Sequence, residues 1–409
     1  MSVSAARYDQ AITIADTSSE SYVLANISVL LCSCSAVLTF ILLNIIIYFI
    51  DNFFINIVLY VLPLSIFVAG LNTVFVNINL RRQRQKNIAY GRVLQATSSS
   101  AAQIIFGFAK IGVYGLIAGQ IIGLIFSFSR LLDLRILNSI FKSKTKKQRN
   151  IILAKYIKFP KFDALSAMVS VFNNHLPVII IALFSTASNV GAYALAQRVI
   201  ITPLNIVANS IASTILAFSR IKFENKNQIM MSGVNAIGNI VIFVVTLTGV
   251  VLIYFFESIF GYEWKQAGVI AGWVCLTAGA KFKTDAMFSL TTINNKLQEG
   301  LGLQIRLMMQ RSVLLIILLK ITNIEIAIMI FSILSSLIYN IEVNRIVKSI
   351  DLATVPFDYQ FYCNLFFAAI LIYCASSQSN IYVAISFVFY ILVELLTFFR
   401  SYAAIKKLL

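Results

Sequence analysis

Charge is scarce in this chain: of 409 residues, 12% are Asp, Glu, Lys or Arg, against 59% hydrophobic. A water-soluble domain carries about twice that charged fraction, so no large soluble domain fits within these residues. Acid is scarcer still, with 16 Asp and Glu against 33 Lys and Arg. Histidine occurs once, at His175, which leaves a zinc site without its usual nitrogen ligands. The five cysteines, Cys32, Cys34, Cys275, Cys363 and Cys374, all fall within or at the ends of apolar runs. Cys32 and Cys34 stand two apart, where a helix points them in different directions and makes a poor metal or disulfide pair. No nucleotide-binding loop, metal cluster or hydrolytic triad is visible, so no metal or cofactor is expected. Residues 1–24 are mixed polar and lack the basic start and apolar core of a cleavable signal peptide.

What fills the chain instead is a series of apolar runs, at 25–50, 57–78, 90–109, 113–130, 163–185, 192–218, 229–254, 266–292, 303–322, 325–345, 359–375 and 381–399. Runs of this length have no water to satisfy their backbone in a bilayer about 30 Å thick, so each must be helical. The expected fold is all-α, a polytopic membrane helix bundle of about twelve transmembrane helices. Lys and Arg collect in every second gap: Arg81, Arg82, Arg84 and Lys86, then a block from Lys142 to Lys161, then Arg220, Lys222 and Lys226, Lys296, and Arg345 with Lys348. The alternate gaps hold little beyond Lys110, Lys265 and Lys320. The positive-inside bias makes the rich side cytoplasmic, with both termini there, and explains the +17 net charge without nucleic acid.

The domain reading follows: a cytoplasmic N-terminal segment over 1–24, a first helical lobe over 25–130, and a basic connector over 131–162 that holds Pro160. A second six-helix lobe then covers 163–345, and a further helix pair and tail 346–409. No outer gap exceeds about ten residues. A membrane glycosyltransferase or polymerase usually needs a larger outer loop for its acid, base and substrate contacts, so a non-enzymatic role is expected.

Polar residues on a lipid-facing surface are costly, so polar stripes mark where a span faces protein or water. Arg198, Thr202, Asn205 and Asn209 follow i, i+4, i+7, i+11 and lie within about 60° of one another on a helix. Asp163, Ser166, Ser170, Asn173, Asn174 and Pro177 share one side of the preceding span. Pro177 and Pro203 each free a carbonyl one turn back, and together these faces suggest a hydrated cavity. Arg198 either pairs with an acid on another helix or lines that cavity for an anionic substrate. Lys281 and Asp285 can neutralise each other at i, i+4, while Lys283 points away from them. His175 lies off the stripe and reads as a packing residue. Glu394, with Tyr390, Thr397 and Ser401 on one face, is either a cation or proton carboxylate or simply solvated. The small residues from Gly112 to Gly123 read as a close helix contact.

Several short segments in order resemble the polysaccharide transporter or oligosaccharide flippase family, which shares a superfamily with multidrug and toxin extrusion carriers. They are Arg7–Tyr8–Asp9–Gln10–Ala11–Ile12, Leu71–Asn72–Thr73 with Leu80–Arg81–Arg82, and Gly112 to Gly123. Gly191–Ala192–Tyr193, Ala196–Gln197–Arg198, Pro203, and Phe260–Gly261 with Trp264 continue the order. In that family the first of these segments follows the second helix, so the resemblance implies a chain lacking two helices and an incomplete first lobe. It further implies a two-lobed, extrusion-carrier-like flippase in the bacterial cytoplasmic membrane. Such a protein moves polyprenyl-diphosphate-linked oligosaccharide for O-antigen, capsule or exopolysaccharide, by alternating access. Arg198, Thr202, Asn205, Asn209, Asn173, Asn174 and Lys281 would line its substrate cavity, and Asp163, Asp285 and Glu394 are weak candidates for coupling to a sodium or proton gradient. Partners would be the lipid-linked oligosaccharide, membrane lipid and other polysaccharide-assembly membrane proteins. A cation-coupled small-molecule exporter, a membrane polymerase and an inactive shortened flippase remain as alternatives.

Overall fold

The computed structural model describes residues 4–49, 53–132, 146–218, 226–349, 359–377, 382–383 and 385–391. Every regular element among them is helical. Eight helices are long and apolar enough to cross a membrane among the described residues. They lie in α2 (Ser18–Phe49), α3 (Phe53–Arg81), α5 (Val113–Leu131), α7 (Ala164–Phe184), α8 (Ala187–Phe218), α9 (Lys226–Phe260), α11 (Leu297–Ile321) and α12 (Ile324–Ser349). Two more, α4 (Gln85–Phe108) and α10 (Lys265–Ile293), have the length but are more polar. Helix α13 (Tyr359–Ser376) contributes a shorter apolar stretch, and the run at 381–399 lies largely outside the described residues. The protein is an all-α, multi-pass membrane bundle. Two short helices complete it, α1 (Tyr8–Ile14) and α6 (Lys146–Lys155).

The chain divides into two compact units, Met1–Met168 and Val169–Leu409, with the division inside α7. In the first unit α3 packs against both α2 and α5, and α4 and α5 form a tight hairpin. Gly119 and Gly123 permit that hairpin. A Cβ on Gly119 would stand 2.6 Å from Gln103 Cγ, and one on Gly123 2.7 Å from the Gln95 carbonyl oxygen. Helix α1 has only 7 residues, too few to persist alone. It persists because Arg81 donates to the carbonyls of Ile12 and Ala15, which the helix end leaves without partners. Part of the expected cytoplasmic connector is thus structured: α6 is followed by a π-turn at Phe159–Asp163 that runs straight into α7. Pro160 sits at the start of this turn, where its missing N–H costs nothing.

In the second unit α10 is the central helix, packed against α8, α9, α11, α12 and α13. That position explains its polarity. A helix surrounded by protein need not be apolar on all sides, and Lys283 and Thr284 are buried within it.

Candidate functional site

Helix α8 carries the expected polar stripe. Arg198, Thr202 and Asn209 are exposed and Asn205 is half-buried. Among the described residues Arg198 has no hydrogen-bond or ion-pair partner, so no acid on a described helix neutralises it. Asn205 turns towards α10 and, with Lys281 and Asp285, lines a pocket of about 10 Å³. That is the lower limit for one water. Lys281 is ion-paired to Asp285, with 12% and 29% of the side chains exposed. The charge of Lys281 is met by Asp285, and this pocket is too small for a diphosphate. Lys283 stands apart, 1% exposed, with its ammonium 5.3 Å from the Phe361 ring.

Polar contacts tie the preceding helix to its neighbours in the second unit. Gln197 on α8 donates to the Asn174 carbonyl at 2.8 Å, within the turn that Pro177 disrupts. Asn173 is buried and accepts from Arg311 at 3.0 Å. Arg311 also donates to the Tyr339 hydroxyl at 2.7 Å and lies 4.9 Å and 5.4 Å from the Tyr339 and Phe331 ring centres. Its Nε has no hydrogen-bond partner, and no carboxylate lies within ion-pair distance among the described residues. This arginine knots α7, α11 and α12 through neutral oxygens and ring faces. Sequence reasoning missed it, although it stands inside an apolar run and so carried the signal that singled out Arg198. The same reading missed Glu342, fully buried between Arg306 and Arg345.

Asp163 belongs to the first unit. It is 2% exposed and accepts from Arg7 Nε at 2.7 Å, so a coupling role would first have to break this pair. Asp9 is beside them and accepts from Asn77 at 3.2 Å. Burial raises the Asp9 carboxyl above its ordinary value, against the opposing pull of Arg7. Burial opposes the charge on Arg7, but Asp163 and Asp9 outweigh it and raise its pKa. Further along, Lys155 bonds to Asp16 and Glu20 at 2.7 Å and 2.8 Å and holds α6 against α2. Of the coupling candidates, Asp163 and Asp285 are therefore both ion-paired, and Glu394 lies outside the described residues. Among the described residues no group of three or more His, Cys, Asp or Glu comes together as a metal site.

Residues 10–269 match the family described as Polysaccharide biosynthesis protein. The chain belongs to that family. No curated protein and no solved structure matches it.

The match to the polysaccharide biosynthesis family runs from α1 into the start of α10. It includes Asp163, Asn173, Asn174 and the whole Arg198 stripe, and it ends before Lys281, Asp285 and Arg311. The chain is thus a multi-pass membrane protein with a role in polysaccharide synthesis or transport. Chemically, the Arg198 face offers a permanently charged, planar fork of donors to an anion, with hydroxyl and amide groups along the same stripe.

Proposed function

We propose that this protein is a flippase, and not an enzyme, that moves polyprenyl-diphosphate-linked oligosaccharide across the bacterial cytoplasmic membrane by alternating access. The observation that carries the reading is Arg198. It stands eleven residues into α8, about 17 Å from the helix start, with no acidic partner among the described residues. An arginine within a span costs about 2.5–3.5 kcal/mol even on lenient scales, so water or an anion has to offset it. A diphosphate supplies two oxygens to the guanidinium fork, and Thr202 and Asn209 continue the same exposed face with a hydroxyl and an amide. Both termini are cytoplasmic in this reading, from the alternation of basic gaps. Coupling to a sodium or proton gradient belongs to the proposal, with no residue assigned to it.

The test is complementation of a flippase-deficient cell, reading lipid-linked oligosaccharide retained in the inner leaflet per folded protein. Arg198→Lys should keep part of the function, since an ammonium is a single point charge. Arg198→Gln should abolish most of it at normal abundance. Wild-type transport by Arg198→Gln would remove this residue from the mechanism, and no transport by the wild-type chain would sink the reading.

A further inference from the structure

At one end of the second unit three connections meet: α7 to α8, the 3₁₀ turn (Tyr262–Trp264) leading into α10, and α11 to α12. Residues of the α7–α8 and α11–α12 connections and of the first turn of α10 line an open cleft of about 490 Å³, within the range of small-molecule sites. Its wall includes Phe184, Asn189, Gln266, Thr322, Asn323 and Glu325. Neither Lys281 nor Arg198 takes part, and no lysine or arginine lines it.

The wall's chemistry is selective. Amides and a hydroxyl offer donors and acceptors in close alternation, as a vicinal diol requires. Glu325 adds one carboxylate, an acceptor for two neighbouring hydroxyls and a repulsive group towards phosphate. Phe184 is 43% exposed, with the Lys320 ammonium 6.0 Å from its ring centre; its remaining apolar ring surface suits the C–H face of a pyranose. The wall is also partly organised in advance. Gln266 donates to Glu325 at 3.2 Å, tying α10 to α12, and Asn189 donates to Ser185 at 2.8 Å. An uncharged polyhydroxylated ligand meets complementary groups here; the lining itself brings one carboxylate, and the Lys320 ammonium stands beside it over the Phe184 ring.

We propose that this cavity is a saccharide subsite, binding the neutral sugars of the glycan apart from its diphosphate. The inference rests on the flippase reading and extends it. Asn189 and Arg198 lie on the same helix nine residues apart, about 14 Å along its axis. A glycan whose diphosphate meets Arg198 can therefore reach towards this end of the unit, which the charge pattern assigns to the outside.

The experiment uses the full chain in lipid nanodiscs. The probe is the phosphate-free oligosaccharide released by mild acid from the host cell's own lipid-linked glycan, and saturation-transfer NMR reads its binding. Wild-type protein should bind saturably. Phe184→Ala and Glu325→Gln should each weaken binding about tenfold, as expected for losing one strong contact. Both pocket positions are surface residues, so the variants should fold normally, and their melting temperatures check this. Absent binding, or binding indifferent to the pocket variants, would overturn the subsite. Competition by inorganic phosphate would overturn it too, assigning the cavity to lipid headgroups. The flippase reading fails on a different result, a wild-type chain that leaves the glycan in the inner leaflet of intact cells.

Discussion

Replacing Arg7 with glutamine should destabilise the first unit more than any surface change. Asp163 is 2% exposed and its partner Arg7 20%, with a single bond of 2.7 Å between them. Asp9 lies close enough to feel both charges. Removing the guanidinium leaves one buried carboxylate without its cation and a second one nearby. Breaking a buried pair from one side costs about 3–5 kcal/mol, because the orphaned charge keeps its desolvation penalty. For a unit of this size that corresponds to a fall of order 10 °C in melting temperature. Arg7→Gln/Asp163→Asn removes the orphaned charge and should recover most of the loss. The assay is thermal unfolding of the solubilised protein, followed by fluorescence-detected gel filtration, for both single variants, the double variant and wild type. An unchanged Arg7→Gln melting temperature, or a double variant no better than Arg7→Gln, would refute the reasoning.

The raised Asp9 pKa gives a pH dependence of definite sign. Between the ordinary carboxylate value and the raised one the folded state binds more protons, so stability should rise as pH falls through that window, and Asp9→Asn should flatten the slope in a melting series. Arg311→Leu should cost about 1–3 kcal/mol by stranding Asn173 Oδ1 and the Tyr339 hydroxyl, and adding Asn173→Leu and Tyr339→Phe should restore the melting temperature. Gly123→Ala should cost about 1–3 kcal/mol, since the new Cβ would meet backbone oxygen at 2.7 Å and force α4 and α5 apart. In a cysteine-free background, single cysteines at Ser188 and Tyr262 should react with an impermeant outside thiol reagent, and those at Lys86 and Lys296 should not; the reverse pattern would invert the topology.

The sequence by itself determined the class of the protein and the approximate edges of its helices. A hydrocarbon layer about 30 Å thick tolerates no exposed backbone, so a long apolar run has one available structure. Runs expected at 303–322 and 325–345 became helices Leu297–Ile321 and Ile324–Ser349. Pairing was legible only along one helix, as with Lys281 and Asp285 at i, i+4. The polar face of α8 was legible too, because four residues at helical spacing reveal it without a neighbour. What the tertiary structure alone decided was which polar residues meet across helices. Arg7 finds Asp163 156 residues away, and Arg311 finds Asn173 138 residues away. Spacing carries no information on such contacts, since nothing local distinguishes a buried arginine that is knotted into its fold from one left facing outward. Arg198 and Arg311 read alike in the sequence; packing placed one on an open face and the other between two rings.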